Sequence, residues 1–278
     1  MSNGKIWYIT GASQGLGLSL VKKLLASGYR VAATSRSEVE LLKAVGPVDP
    51  THFLPLTVDL SSSDAISSSI GQTVARFGTV DVVVNNAGYG MEGTVEELDE
   101  KKMRAIFEIN IYATIHVTRF ALPYLRKQKS GHIINIASVA GFAGAPGWAI
   151  YSATKAAVIG FSEVLALDVQ ELGIKVTVVG PSGFRTGFLT KNSLDSTVSR
   201  IADYQAVAQT HARYESMNGR QDGDPEKAAA LFIQLAENPA PPLHLWLGAN
   251  ALDRVGGKIA SLEEELIKWK QLSISADF

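Results

Sequence analysis

The sequence predicts an α/β fold of the doubly wound class, in which helices cover both faces of one parallel sheet. Short apolar runs alternate with longer segments of helical periodicity along the chain of 278 residues, an order typical of this class. The runs are apolar at successive positions, which indicates strands buried on both faces. No repeat, low-complexity tract or long Pro/Gly/Ser linker interrupts the pattern, so we expect one domain over residues 1–278.

Seven apolar runs are predicted as strands and five periodic segments as helices. The strands are expected at 5–10, 29–35, 51–58, 80–85, 131–137, 174–180 and 243–247. The helices are expected at 15–26, 62–77, 97–128, 152–171 and 225–237, where apolar side chains recur every three or four positions.

Two regions depart from this alternation. Residues 187–223 are polar and weakly periodic between a strand and a helix, which predicts a mobile lid or substrate loop. Residues 252–273 predict a C-terminal amphipathic helix. Its expected apolar face consists of Leu252, Val255, Ile259, Leu262, Leu266 and Trp269.

The composition excludes several classes of function. Hydrophobic residues make up 46% of the chain, and the formal net charge of −1 offers no attraction to nucleic acid. No cysteine is present, so disulfides and thiolate chemistry are excluded, and the five scattered histidines lack metal-ligand spacing. The N-terminal residues do not resemble a signal peptide, and no apolar run reaches the length of about 18 residues that spans a bilayer. We expect a soluble, cytoplasmic protein without a membrane span, a metal or a nucleic-acid partner.

A glycine-rich turn follows the first predicted strand and opens the first helix. The stretch TGASQGLG places Gly11, Gly15 and Gly17 in the spacing G-x-x-x-G-x-G. Glycines permit a tight turn and a close backbone approach, and a helix N-terminus offers N–H groups to a pyrophosphate. The alternative is a glycine-rich turn that binds no ligand.

The stretch YSATK places Tyr151 and Lys155 one helical turn apart, on the same helix face. Such a pair could be the proton donor of an enzyme or an ordinary packing pair, and the pattern alone does not decide between them.

Several short stretches together resemble one family, the compact single-domain short-chain dehydrogenase/reductases, with a Rossmann-type fold. The resemblance extends from about residue 5 to about residue 186. The pieces occur in the family's order, namely TGASQGLG at 10–17, DL at 59–60, NNAG at 85–88, Asn110, Ser138, YSATK at 151–155 and PSGFRT at 181–186.

The resemblance implies that Asn110, Ser138, Tyr151 and Lys155 are catalytic. Hydride transfer to a ketone develops negative charge on oxygen, which must be stabilised and then protonated. A phenol can do both, and a nearby ammonium lowers the phenol pKa from about 10 toward neutrality. Ser138 would donate a hydrogen bond to the substrate oxygen. Asn110 would hold a water for proton relay, although a mid-helix asparagine can equally be a buried structural residue.

The same resemblance implies a dinucleotide site. Asp59 and Leu60 would meet the adenine, the NAG backbone the adenosine half, and Phe184 and Thr186 the nicotinamide carboxamide. Ser182 departs from the family, which usually has glycine after this proline. The expected cofactor-binding residues are Gly11, Ser13, Gln14, Gly15, Leu16, Gly17, Ser35, Arg36, Asp59, Leu60, Asn86, Ala87, Gly88, Tyr151, Lys155, Pro181, Phe184 and Thr186.

The end of the second predicted strand indicates NADP(H). Where NAD-selecting relatives carry aspartate, this chain has Ser35, followed by Arg36. An arginine there can pair with a 2′-phosphate, whereas a carboxylate would repel it. Gln14 occupies the position where some NADP-binding relatives have a cation, so the preference is expected to depend mainly on Arg36.

The sequence predicts hydride transfer between NADP(H) and an apolar ketone or secondary alcohol. Apolar residues expected near the site are Met91, Phe142, Trp148, Phe184, Phe188 and Leu189. The alternatives are a dinucleotide-sensing regulatory protein without chemistry, and an epimerase or dehydratase, which usually has a longer chain. Relatives pair through helices corresponding to 97–124 and 152–171, so a homodimer or homotetramer is expected from the resemblance.

Overall fold

A parallel sheet of seven strands forms the centre of the protein, whose structure is a computed structural model that describes residues 4–278. The strand order is β3-β2-β1-β4-β6-β7-β9, and every adjacent pair is parallel. The predicted doubly wound fold is therefore confirmed. The strands are β1 (Ile6–Ile9), β2 (Arg30–Ser35), β3 (Phe53–Thr57), β4 (Val82–Asn85), β6 (Gly131–Ile136), β7 (Ile174–Pro181) and β9 (His244–Leu247).

Helices cover both faces of this sheet. One face packs against α1, α2 and α8, and the other packs against α3, α5 and α6. The helices are α1 (Gly15–Ala26), α2 (Glu38–Val45), α3 (Ser63–Phe77), α4 (Glu100–Phe107), α5 (Ala113–Gln128), α6 (Ala149–Val169), α7 (Gln205–Met217), α8 (Pro225–Glu237) and α9 (Ala249–Ile274).

The chain runs from β1 through β2 to β3 at one edge of the sheet, then returns to β4 and continues toward the other edge. The strand order therefore reverses between β1 and β4. A ligand cleft forms at such a switch point, outside the carboxyl ends of the strands. The glycine-rich turn leaves β1 at this point and the NAG stretch leaves β4 beside it. The topology thus brings together two motifs that are far apart in the sequence.

The predicted continuous helix over 97–128 is wrong in two respects. The helix begins at Glu100, after the cap residue Asp99. A turn of π-helix over Glu108–Tyr112 then separates α4 from α5. Apolar periodicity does not reveal such a turn, because it inserts a single extra residue without ending the helix.

The region 187–223 contains regular structure that the sequence did not indicate. Strand β8 (Leu194–Ser196) pairs in parallel with β5 (Gly90–Glu92) in a second, two-stranded sheet. Helix α7 follows, and none of its residues is fully buried. Because α7 covers a cavity rather than a core, its apolar periodicity is weak.

Of the predicted apolar face of the C-terminal helix, only Val255 is buried, and the rest of the prediction is wrong. Leu262 is half-buried, and the other four residues are 45% to 72% exposed, namely Leu252, Ile259, Leu266 and Trp269. Only the beginning of α9 contacts β9 and the turn after β6, and the helix then extends past the edge of the sheet.

Helix α6 and the turn after it, Ala149–Leu172, are long and apolar enough to cross a membrane by length and composition, with a mean hydropathy of 1.3. One face of α6 packs on the sheet through Val158, Leu165 and Val169. Packing on the sheet accounts for part of the apolar composition of α6, since 39% of this segment is buried while Val164 and Leu167 are exposed.

Candidate active site

Ser138, Tyr151 and Lys155 converge on one large cavity at the carboxyl edge of the sheet. Ser138 follows β6, and the other two lie in the first turns of α6. The cavity has a volume of about 1260 Å³ and extends from the glycine-rich turn to α7. The turn after β6 packs closely on α6 because Gly141 has no side chain. A Cβ on Gly141 would lie 2.6 Å from the Lys155 carbonyl carbon.

The Tyr151 phenol is buried, with 5% of the residue exposed. Burial raises its pKa to about 12, and contact with the Ser138 hydroxyl lowers the pKa less than burial raises it. The expected depression of this pKa toward neutrality by Lys155 is therefore wrong for the protein without ligands. Burial favours the neutral form and is the largest cause of the shift, followed by the Ser138 hydroxyl and the nearby Tyr214, so the phenol is protonated at neutral pH.

The Lys155 ammonium is also buried, and burial lowers its pKa to about 8. Its Nζ donates a hydrogen bond to the Ile136 carbonyl at 2.8 Å and lies 5.9 Å from the centre of the Tyr151 ring. The ammonium is therefore held between the end of β6 and the phenol, without a direct bond to the phenol oxygen.

Asn110 lies in the π-helical turn, behind the cavity wall. Its Oδ1 accepts from the Tyr89 amide at 3.0 Å, and its Nδ2 donates to the Tyr89 carbonyl at 2.9 Å and to Thr154 Oγ1 at 3.1 Å. A Cβ on Gly88 would lie 3.0 Å from Asn110 Oδ1 and 3.3 Å from Lys155 Nζ. The structure thus brings Asn110 close to Lys155 while its side chain serves to fix the backbone at Tyr89. The relay stays a prediction.

The glycine-rich turn is shaped by its glycines. Gly11 and Gly15 have φ values of +65° and +59°, which favour glycine. A Cβ on Gly11 would lie 2.8 Å from Ala87 Cα, and one on Gly17 would lie 2.5 Å from Asn86 Nδ2. Gly17 is buried against the neighbouring loop, so of the predicted cofactor residues it alone does not line the cavity.

Asn86 fastens the two loops at the switch point together. Its Nδ2 donates to the carbonyls of Thr10 and Gly11 at 2.9 and 3.0 Å. Thr10 Oγ1 accepts from the amides of Asn86 and Ala87, each at 3.0 Å. The asparagine thus holds the glycine-rich turn from behind, and the backbone of Ala87 and Gly88 lines the cavity.

The predicted adenine end of the cavity is open. Asp59 and Leu60 line it, and hydrogen bonds from Ser61 lower the pKa of the Asp59 carboxyl. Ser35 is buried at the end of β2, and the exposed Arg36 beside it also lines the cavity. Within residues 4–278, Arg36 forms no ion pair.

Ser182, the departure from the family pattern, is accommodated at the other end. Its amide donates to the Leu247 carbonyl at 3.0 Å, which continues the pairing of β7 with β9. A Cβ on Gly248 would lie 2.4 Å from Ser182 Oγ, so glycine at 248 makes room for the serine. Pro181, Phe184 and Thr186 line the cavity as predicted.

The wall beyond Tyr151 is apolar and partly composed of residues not anticipated from the sequence. Trp148, Phe184, Phe188 and Leu189 line it, but Met91 and Phe142 do not. Met91 is buried behind Trp148, and Phe142 packs on Trp246 at a ring separation of 5.6 Å. Further lining residues are Tyr89, Leu194, Tyr214 and Met217, of which the last two lie one turn apart on α7.

Two contacts join the lid segment to the rest of the site. Gln14 Nε2 donates to Ser193 Oγ at 2.8 Å, across the glycine-rich turn. The buried Glu92 carboxylate accepts from His211 Nδ1 at 2.9 Å and from Ser196 Oγ at 3.1 Å, which links β5, β8 and α7. In the part of the chain that the structure describes, no cluster of three or more His, Asp or Glu residues is placed to hold a metal.

Comparison with curated proteins gives relatives over almost the whole chain. An oxidoreductase of Botryotinia fuckeliana is 36% identical over 98% of this chain and 99% of its own length. A 3-ketodihydrosphingosine reductase of Bacteroides thetaiotaomicron is 32% identical, and the match covers 88% of each chain.

Solved structures and a family profile agree with these relatives. The crystal structure of a short-chain dehydrogenase from Streptomyces avermitilis has a TM-score of 0.92 and 34% identity, with both chains fully covered. A metagenomic short-chain oxidoreductase in complex with NADP has a TM-score of 0.68 and 25% identity, and the match covers 88% of this chain and 97% of that one. The profile of short chain dehydrogenases matches residues 5–197. The chain therefore belongs to the short-chain dehydrogenase family of oxidoreductases, whose members bind a nicotinamide dinucleotide.

Proposed function

We propose that the protein is an NADP(H)-dependent enzyme that interconverts an apolar ketone and the corresponding secondary alcohol. One observation carries the proposal: a protonated phenol, a serine hydroxyl and a buried ammonium meet an apolar wall inside the cavity that also contains the glycine-rich turn and Arg36.

The residues at the switch point fit a dinucleotide. The turn before α1 has no side chains at Gly11 and Gly15, and the helix begins at Gly15 with its N–H groups unpaired by a side-chain cap. Such a helix N-terminus suits a pyrophosphate. Arg36 would hold the 2′-phosphate, and Phe184 and Thr186 would hold the nicotinamide end. When bound, the cofactor supplies or accepts the hydride.

The residues of the chain supply the proton and the polarisation. The Tyr151 phenol, protonated in the ligand-free protein, is the group placed to donate a proton to the substrate oxygen during reduction. The Ser138 hydroxyl donates a second hydrogen bond to the same oxygen. The positive charge of Lys155 stabilises the negative charge left on the phenolate, because its Nζ lies 5.9 Å from the ring centre.

The apolar wall supports an apolar substrate. Trp148, Tyr214 and Phe188 pack around Tyr151, with ring separations of 4.9 to 5.7 Å between neighbours. Among the charged residues that also line the cavity, Lys191 and Arg213 are exposed. Asp195 and Arg254 are half-buried, but Asp195 pairs with Lys102 and Arg254 donates to the Ala143 carbonyl. One relative is named for the reduction of 3-ketodihydrosphingosine, which agrees with an alkyl ketone. A panel of alkyl and aryl ketones, sugars and keto acids tests this, and a kcat/KM preference for charged substrates contradicts it.

Cofactor choice is tested at Arg36. A hydrogen bond to a charged group contributes about 1.5–3 kcal/mol, or roughly 10- to 150-fold. We expect NADPH to exceed NADH by at least about tenfold in kcat/KM, and Arg36→Ala to remove most of this preference. Arg126→Ala, at an exposed arginine of α5, is the control. Equal use of NADH by the parent, or unchanged discrimination in Arg36→Ala, contradicts the assignment.

We also propose that the enzyme is a homodimer or homotetramer that associates through α5 and α6. Tyr112, Val164 and Leu167 beside or on these helices are 50%, 58% and 71% exposed, which supports a covered apolar face. Light scattering after size exclusion tests the assembly, and Leu167→Glu should shift it toward monomer if this face is the interface.

A further inference from the structure

Gln221 is a buried polar residue of the cavity that has no function in the reaction described so far. It lies between α7 and α8, lines the cavity, and is 1% exposed. Neither its Nε2 nor its Oε1 has a hydrogen-bond partner among residues 4–278. A fully buried primary amide without partners destabilises the folded protein, so such a group calls for a ligand.

The backbone holds Gln221 firmly in place. Its carbonyl accepts from Arg185 Nε and Nη2 at 3.2 and 3.1 Å. Two residues later, the Gly223 amide donates to the Gly183 carbonyl at 3.0 Å, and the Gly223 carbonyl accepts from the Arg185 amide at 2.8 Å. The segment is thus bound to the loop after β7, and the backbone from which the Gln221 side chain extends is fixed there.

Glycines allow this close approach. A Cβ on Gly223 would lie 2.6 Å from Phe184 Cγ, so a side chain at 223 would push the two segments apart. A Cβ on Gly183 would lie 3.5 Å from Gln221 Cγ, which shows that the glutamine stem packs directly over Gly183. The Gln221 side chain therefore extends from a stem that packs against the loop carrying Phe184 and Thr186.

The chemistry of this position defines the ligand. A primary amide presents one acceptor and one donor side by side, and its best complement is a second primary amide. The loop that Gln221 packs against is the one assigned to the nicotinamide end of the cofactor. We propose that Gln221 is a positioning residue that pairs with the nicotinamide carboxamide, with Oε1 accepting from the carboxamide N–H. The proposal rests on the proposed function only in that a nicotinamide cofactor occupies the cavity, and is independent of the choice between NADPH and NADH.

Binding measurements on the full chain test the pairing without reference to turnover. Isothermal titration compares NADP⁺, its 3-acetylpyridine analogue, in which a methyl group replaces the carboxamide NH₂, and 2′,5′-ADP, which lacks the nicotinamide. NAD⁺ and its 3-acetylpyridine analogue, which lack the 2′-phosphate, are measured in parallel, so that failure of the Arg36 assignment does not obscure the result. The variants are Gln221→Leu and Gln221→Met, and the control is Gln209→Leu at an exposed glutamine of α7.

We expect Gln221→Leu to weaken NADP⁺ binding by about tenfold and to leave 2′,5′-ADP within twofold of the parent. The parent should bind NADP⁺ more tightly than the acetylpyridine analogue, and the variant should reduce this ratio at least threefold, since the two changes remove the same bond. The ligand-free variant should melt at the same temperature as the parent or higher, because it loses a buried, unpartnered amide.

Equal weakening of all three ligands, or a lower melting temperature without ligand, indicates a structural residue and overturns the proposal. An unchanged ratio between NADP⁺ and the analogue overturns it as well. If Gln221→Met and Gln221→Leu change the binding of the ligands equally, the change comes from the loss of the amide and not from side-chain shape.

Discussion

Burial controls the protonation of both ionisable residues at the centre of the site. Burial alone accounts for most of the behaviour of Tyr151 and Lys155, whose pKa values move to about 12 and about 8. The two values shift in directions that favour the neutral form of each group. Burial thus reinforces the protonated state that a phenol with its ordinary pKa of about 10 already has at neutral pH.

Removal of the phenol oxygen should separate binding from chemistry. Tyr151→Phe deletes the proton donor while the ring packing against Trp148 stays, so we expect cofactor affinity within about twofold of the parent. Turnover should fall by about 10²–10⁴-fold or more, as for a positioned general acid. Tyr124→Phe on α5 is the control. Turnover of Tyr151→Phe within about tenfold of the parent contradicts the assignment and leaves a non-catalytic dinucleotide-binding protein as the better description.

His132 makes folding stability depend on pH. It is 3% exposed, its Nε2 lies 3.0 Å from Thr177 Oγ1, and its Nδ1 has no partner among the described residues. Burial, then the charges of Lys175 and Lys5, lower its pKa from 6.5 to about 4. Between these values the unfolded chain binds a proton that the folded protein does not, so stability declines as pH falls from 6.5 to 4.

The free energy of unfolding should fall by about 3 kcal/mol as the pH falls from 6.5 to 4. Urea unfolding of the parent from pH 7 to pH 4 should show it, and His132→Gln should flatten the decline. His52→Gln, at a partly exposed histidine, is the control. A decline equally steep in His132→Gln rules out this histidine as its cause.

At the residue level, the sequence predicted which residues meet but not all of their surroundings. Most of the predicted catalytic and cofactor-binding residues come together because they follow a strand end or lie in the first turns of a helix, positions that the apolar pattern locates. Asn110, in the π-helical turn behind the cavity wall, is the exception. Met91 and Phe142 were assigned to the cavity because of their nearness in sequence. Which way each side chain points depends on the second sheet and on Trp246, and no periodicity encodes either.

Among the elements, the lid combines weak packing with one buried charged contact. Helix α7 has no fully buried residue, yet its His211 reaches the buried Glu92 of β5. Glu92 Oε1 has no partner among the described residues, so the carboxylate depends on His211 and Ser196. We infer that this contact, together with the packing of Tyr214 on Trp148, holds α7 over the cavity.

Loss of the His211 imidazole should therefore loosen α7. We expect His211→Ala to lower amide-exchange protection over Gln205–Met217 by about tenfold or more, since a buried carboxylate loses a donor. KM for the carbonyl substrate should rise more than Kd for the cofactor. Glu215→Ala, at an exposed position of the same helix, is the control. Unchanged protection of α7 in His211→Ala shows that other contacts hold the lid.

At the level of elements, long helices and buried strands were predictable within a few residues. The π-helical turn and the second sheet were not, because the first inserts one residue without interrupting the apolar pattern and the second joins segments about a hundred positions apart. Helix α7 was missed because its inward face contacts a cavity that a substrate would fill, so it carries mixed rather than apolar residues.

In the whole molecule, the distal part of α9 contributes little to the folded domain. Nearly all residues from Ile259 onward are exposed. A chain that ends at Ala260 should unfold within about 2 °C of the parent and bind NADP⁺ with unchanged Kd, since each 1 kcal/mol would shift the melting temperature by about 2–4 °C. Val255→Asp, at a buried position of the same helix, should clearly lower the melting temperature. A drop above about 5 °C on truncation shows that the segment packs against another copy of the chain.

The bond between Gln14 and Ser193 has a kinetic consequence. It joins the lid segment, residues 187–223, to the glycine-rich turn. The same segment forms part of the apolar cavity wall through Leu194 and Tyr214. Cofactor and substrate would thus pass the same lid segment to enter the cavity. We expect reopening of this segment to limit turnover, because product release often depends on such a motion.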